Sequence, residues 1–166
     1  MSFLEAEQRE LAEAIAARLI ERGETAGVAE STTGGLISAA LLSVSGASRY
    51  YSGGGVLYTL NSRVAMAGVP ADEYANYRGT TPELLSSLAE RLRERLGATW
   101  CIGESGLAGP TGSRFGAPPG RTMIAVVGPV KRAEVFDTGI ADREVNMVAF
   151  TTLALRFFLD AVGDAG

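Results

Sequence analysis

Three hydroxyl residues in a row, Ser31-Thr32-Thr33, followed by Gly34-Gly35, are the residues of this chain best suited to chemistry. They come after a short strand-like run, Gly27-Val28-Ala29, and before Leu36-Ile37-Ser38-Ala39-Ala40-Leu41-Leu42, which opens an amphipathic helix. A strand that breaks into hydroxyls and then a helix start gathers unpaired backbone N–H groups in one place. Such a place attracts phosphate, carboxylate or a developing oxyanion. A plain helix cap would also use Ser31 or Thr33, and it needs only one of them. The paired glycines favour a site, because glycine lets a ligand come close to the backbone.

What is missing narrows the chemistry. The chain has no histidine, one cysteine (Cys101) and one lysine (Lys131). Ser-His-Asp triads, Cys-His dyads and nearly all catalytic zinc sites are therefore excluded. Gly103-Glu104-Ser105-Gly106 begins like a hydrolase nucleophile elbow, but Leu107 stands where that turn needs glycine. No GxxxxGK[ST] loop is present, and Lys131 could not complete one. A net charge of −4 argues against nucleic acid and acidic membranes as partners. A single cysteine allows no internal disulfide, which fits a reducing cytoplasm. No signal peptide is read before the first helix, and no apolar run is read as reaching the roughly 18 residues of a membrane span. Neither a cofactor nor a metal is expected.

The elements that must position these residues follow from periodicity. With 166 residues, the chain is read as one domain, 1–166, large enough to bury a core. A helix is predicted over 3–22 on the spacing of Leu11, Ile15 and Leu19, then a strand to about Ser31 and a helix to about Gly46. Residues 49–59 read as a strand interrupted by Gly53-Gly54-Gly55, a mark of a bulge or a close backbone approach. A short helix covers 61–68. Thr81-Pro82-Glu83 then opens a helix whose apolar face is Leu85, Leu88, Leu92 and Leu96. A strand over 99–104 leads into a glycine- and proline-rich loop, Ser105–Gly120, long enough to imply function. Strands at 121–128 and 132–138 form a hairpin, and a helix from about Asp142 to Val162 closes the chain. The alternation predicts an α/β protein, a three-layer α/β/α sandwich.

These motifs together resemble a known family. Ala29-Glu30-Ser31-Thr32-Thr33-Gly34-Gly35 is similar to the AES-x-TGG motif of the CinA C-terminal domain family, which includes the nicotinamide mononucleotide deamidases. Gly54-Gly55-Val56-Leu57-Tyr58 with Gly68-Val69, then Gly106-Leu107-Ala108-Gly109-Pro110 with Gly112, then Pro118-x-Gly120, resemble three further motifs in the same order. The resemblance implies a mixed, roughly five-stranded sheet between helices. It also implies hydrolysis of the carboxamide of nicotinamide mononucleotide to the acid and ammonia, with Ser31 as nucleophile. Donors for the tetrahedral oxyanion would come from Thr32, Thr33, Gly34 and Gly35, or from Ser105 and Gly106. Ser105 would equally serve as a turn hydroxyl.

The proton acceptor departs from that pattern. Family deamidases carry a lysine a few residues beyond the tyrosine matching Tyr58, and Tyr58-Thr59-Leu60-Asn61-Ser62-Arg63 puts Arg63 there. A guanidinium stays protonated near neutrality and cannot act as a general base. Tyr58 and Arg63 are accordingly read as assisting Ser31, with Arg63 beside the phenol. Glu30 and Glu104 are read as capping or holding loop amides. The family usually has two arginines at the start of its last helix; here Arg143 is followed by Glu144-Val145-Asn146. Arg114 and Arg121, flanking the long loop, have the fork geometry to grip a phosphate. Ser31 is expected to face a pocket shared with the 105–120 loop. A nucleotide-binding domain without turnover is the alternative to the amidase. The glycine-rich strand and a final helix containing Phe150, Phe157 and Phe158 suggest apolar surface left for a homo-oligomer.

Overall fold

Strand order rather than helix packing decides where this site can form. The computed structural model describes residues Met1–Gly166. It contains strands β1 (Ala26–Glu30), β2 (Tyr51–Val56), β3 (Trp100–Gly106), β4 (Arg121–Val127) and β5 (Arg132–Asp137). The helices are α1 (Ala6–Arg22), α2 (Leu36–Leu42), α3 (Leu60–Ala67), α4 (Pro82–Leu96) and α5 (Arg143–Ala165). The sheet runs β2-β1-β3-β4-β5, parallel across β2, β1 and β3 and antiparallel across β3, β4 and β5. The segments that follow β1, β2 and β3 therefore emerge at one end of the sheet, where open α/β sheets place their ligands.

Helices α1, α2 and α5 cover one face over a core that includes Ile15, Leu19, Trp100 and Phe158. Helices α3 and α4 cover the other, over Leu57, Leu85, Leu88 and Cys101. The fold is thus the three-layer sandwich with a mixed five-stranded sheet. Two local predictions hold in detail. Thr81 Oγ1 accepts from Leu84 N at 3.2 Å to cap α4, with Pro82 at its first position. Gly53 pairs with Gly27 while Tyr51 pairs with Ala26, so Ser52 is the extra residue of a bulge. At Gly54 a side chain is impossible, since a Cβ would lie 2.5 Å from the carbonyl oxygen of Val28.

Four expectations are corrected. Helix α2 ends at Leu42, four residues short of Gly46, because Ser43 Oγ donates to Ala40 O at 2.7 Å and closes the last turn. Strand β3 continues past Glu104 to Gly106, because its antiparallel pairing with β4 persists to Gly106↔Thr122. The final helix carries no free phenylalanine face: Phe150, Phe157 and Phe158 are all buried within the chain. Residues 143–165 do form one helix long and apolar enough to cross a membrane by length and composition, contrary to the sequence expectation. Its apolar sides are taken up by α1, α2 and the sheet.

Candidate active site at the carboxyl ends of the parallel strands

Two buried carboxylates organise the turn between β1 and α2. Glu30 Oε1 accepts from Gly35 N at 3.1 Å, Ile37 N at 2.9 Å and Thr33 Oγ1 at 2.7 Å, and its Oε2 accepts from Ser38 N at 2.9 Å. Glu104, reaching across from β3, accepts from Ser31 N and Thr33 N, both at 3.1 Å, and from the hydroxyls of Thr32, Thr33 and Thr122. Burial pushes the Glu104 carboxyl up, and the hydrogen bonds from Thr32, Thr33 and Ser31 pull it the other way. Glu30 and Glu104 thus hold loop amides, as the sequence reading had them.

The same bonds correct the idea of an open anion site at the helix start. Gly34 N and Leu36 N also donate internally, to Ser31 O and Thr33 O. Of the amides from Ser31 to Ser38, only that of Thr32 is left without an acceptor. Gly34 and Gly35 serve the turn rather than a ligand: their φ angles of 62° and 100° are left-handed, which side chains resist. Among the three hydroxyls, those of Thr32 and Thr33 are spent on Glu30 and Glu104. Ser31 Oγ makes no hydrogen bond, and it is not among the orphan polar atoms sealed from solvent. Its backbone stays fixed through Glu104, so the hydroxyl is held in place yet free.

Arg63 occupies the centre of a second cluster. It is 2% exposed. Its Nε donates to Leu57 O at 3.3 Å, Nη1 to Thr80 Oγ1 at 3.2 Å and Nη2 to Ser105 Oγ at 3.1 Å. Thr80 Oγ1 also lies 3.0 Å from Ser105 Oγ and 3.0 Å from the Tyr77 hydroxyl. Burial pushes the phenol of the adjacent Tyr74 up, against the pull of Arg63. No carboxylate pairs with this guanidinium. Burying an unpaired cation is costly, which makes Arg63 an electrostatic feature of the site rather than a packing residue.

Tyr58 belongs to a third group. Arg143 Nη2 donates to the Tyr58 hydroxyl at 3.2 Å, and its Nη1 donates to Gly109 O at 2.7 Å. The guanidinium beside Tyr58 is therefore that of Arg143, not Arg63. Asn146, three residues after Arg143, is buried and holds the second glycine loop. Its Nδ2 donates to Ala108 O and Ile140 O, each at 2.8 Å, and Oδ1 accepts from Thr138 at 2.6 Å. A polar residue on the inward side of the first helical turn was the available signal. Thr80 and Tyr77 lie in no recognisable motif.

A cavity of about 750 Å³ opens beside this cluster, lined in part by Thr80, Ser105, Gly106, Arg78, Arg114 and Phe115. Ser31 and Tyr58, expected to share a pocket with the 105–120 loop, do not line this cavity. Ser31 is tied to it through Glu104, which accepts from the Ser31 N–H and immediately precedes the cavity-lining Ser105. Gly106 is a packing glycine, since a Cβ there would lie 2.8 Å from Thr122 Oγ1 and 2.9 Å from Phe150. Arg121 also lines the cavity, but its fork is taken by Asp137, at 2.9 and 3.2 Å. It is not a free phosphate clamp.

Known proteins share this sequence pattern and fold. A family model described as the CinA C-terminal domain matches residues 8–162. A CinA-like protein of Prochlorococcus marinus (strain MIT 9313) is 40% identical over 119 residues, 72% of this chain and 28% of that protein. A putative competence-damage inducible protein of Desulforamulus reducens is 41% identical over 126 residues, 76% of this chain and again 28% of that protein. The match thus spans little more than a quarter of the length of these curated relatives. Among solved structures, the competence/damage inducible protein CihA from Agrobacterium tumefaciens superposes with a TM-score of 0.87 at 26% identity, covering 97% of this chain and 99% of the other. A CinA superfamily protein from Klebsiella pneumoniae 700603 gives 0.88 at 24% identity, over 95% and 98%.

Proposed function

The chain belongs to the CinA C-terminal domain family, and on that premise we propose that it hydrolyses the carboxamide of nicotinamide mononucleotide to nicotinic acid mononucleotide and ammonia. One observation carries this reading. Ser31 Oγ is the one hydroxyl of Ser31-Thr32-Thr33 with no partner, and it adjoins the one unpartnered amide of the turn, Thr32 N–H. A free nucleophile followed by a free donor is what acyl transfer requires.

In this mechanism Ser31 Oγ attacks the carboxamide carbon, and Thr32 N–H stabilises the oxyanion. Ammonia leaves as the acyl-enzyme forms, and water then releases the acid and restores Ser31. Tyr58, acting as its phenolate, takes the serine proton and gives it to the leaving nitrogen, and Arg143 donates to the phenol oxygen through the bond already in place. Arg63 and Thr80 hold Ser105 towards the substrate: its oxygen accepts from Nη2, and with Thr80 as the donor between the two hydroxyls its own proton is left to give.

A second reading rests on Arg63 itself. The guanidinium at the family's lysine position cannot accept a proton, so a domain that binds the nucleotide without turning it over also fits. Ammonia release from nicotinamide mononucleotide, compared between the parent and Ser31→Ala, separates the two. Release that depends on Ser31 supports the amidase; nucleotide binding with no release supports the silent domain.

A further inference from the structure

The cavity beside Ser105 has a rim that none of its site residues explains. Arg78 and Arg114 both lie against the ring of Phe115, with guanidinium carbons 5.1 and 5.0 Å from its centroid. Stacking on a ring uses the face of a guanidinium and leaves the edge N–H groups to donate elsewhere. Neither arginine has an ion pair. Of the other charged residues lining the cavity, Arg121 is neutralised by Asp137, and Glu73 is committed to Arg91 at 3.1 Å and to Ser87 at 2.8 Å. That leaves two free cations against Asp72 alone.

The rim is built rather than loose. Ser113 closes the turn that carries Arg114 and Phe115. Its N–H donates to Ala117 O at 2.9 Å, its carbonyl accepts from Gly116 N, and its hydroxyl accepts from Phe115 N and Ala117 N. Arg78 sits between Tyr77 and Thr80, both tied into the Arg63–Ser105 cluster. Rim and cluster are therefore mechanically joined across a cavity whose volume, about 750 Å³, suits a mononucleotide-sized ligand.

We infer that Arg78 and Arg114, held on Phe115, form a clamp for a phosphomonoester. Two forks with free edges match a phosphate dianion, which accepts bidentate bonds from each. The inference rests on the amidase reading only for the rest of the ligand, the pyridine nucleoside; the clamp requires the phosphate alone. It replaces Arg121 by Arg78 as the partner of Arg114.

Calorimetric titration of the full chain with nicotinic acid mononucleotide, nicotinic acid riboside, ribose 5-phosphate and inorganic phosphate tests it. Arg78→Ala and Arg114→Ala should each weaken binding of the mononucleotide and of ribose 5-phosphate about tenfold. Riboside binding should not change, and Arg78→Lys or Arg114→Lys should restore part of the loss. Binding of inorganic phosphate that both alanine variants weaken, with no difference between mononucleotide and riboside, would mean a site for free anions and would overturn the clamp. Unchanged mononucleotide binding in the double alanine variant would overturn it, as would a parent that binds no phosphomonoester. If the parent binds ribose 5-phosphate through these arginines yet releases no ammonia from nicotinamide mononucleotide, the amidase reading fails and the clamp stands.

Discussion

The two glycine loops at this end of the sheet are built on opposite electrostatic plans. In the first, between β1 and α2, two carboxylates from neighbouring strands absorb nearly every donor, leaving Ser31 Oγ and Thr32 N–H unspent. In the second, between β3 and β4, the loop is held by Asn146, Arg143 and its own Ser113 turn, and its one cation, Arg114, is left over. The difference separates two tasks. The saturated loop fixes one hydroxyl and one amide in place, as chemistry demands. In the proposed function, the under-compensated loop and the buried Arg63 supply the positive charge that an anionic ligand would need.

Removing Glu104 should do the greatest damage to this contrast. Glu104→Ala strands two buried N–H donors, each costing about 1–3 kcal/mol, so we expect a loss of about 3 kcal/mol or more in urea unfolding. Arg114→Ala on the other loop should cost under about 0.5 kcal/mol. Glu104→Gln adds a pH test. A folded carboxyl raised by burial keeps its proton to higher pH than the unfolded chain. The stability it contributes is full below the unfolded value near 4.5 and is lost as pH rises through the folded one. The parent should therefore gain on Glu104→Gln as pH falls towards 4.5. A constant difference would show that the five donors outweigh burial.

Arg63→Lys probes the charge plan directly. A titratable amine in place of a permanent cation should raise kcat/KM at pH 7 by about 10²-fold, the scale of general-base catalysis. It should also lose the contacts to Leu57 and Thr80. Robust parental activity that this substitution abolishes would mean that the chemistry is built around the guanidinium. The smallest effect is expected at Arg121. Its exposed pair with Asp137 is worth about 0–1 kcal/mol, and Arg121→Ala should leave KM for the mononucleotide unchanged in steady-state assays. A severalfold rise in KM would return Arg121 to the clamp.

Much of this could be read in the residues themselves. Thr81-Pro82 and the hairpin after Val127 are local signals, and the Ser31-Thr32-Thr33 turn announces a junction because hydroxyls and glycines have few other uses there. What could not be read depends on distant partners. Glu104 reaches Ser31 from 73 positions away, and Arg63 meets Ser105 across 42. Local spacing says nothing of either. Arg121 looked free because its partner Asp137 is set by the β4–β5 register, and the phenylalanines of α5 looked exposed because the depth of the helical layer is a tertiary property.

Ammonia release from nicotinamide mononucleotide tests the central claim most directly. The parent chain should release ammonia, and Ser31→Ala should reduce that rate at least about 10³-fold while still binding nicotinic acid mononucleotide. Equal release by parent and Ser31→Ala, or none by the parent at any pH, would contradict it.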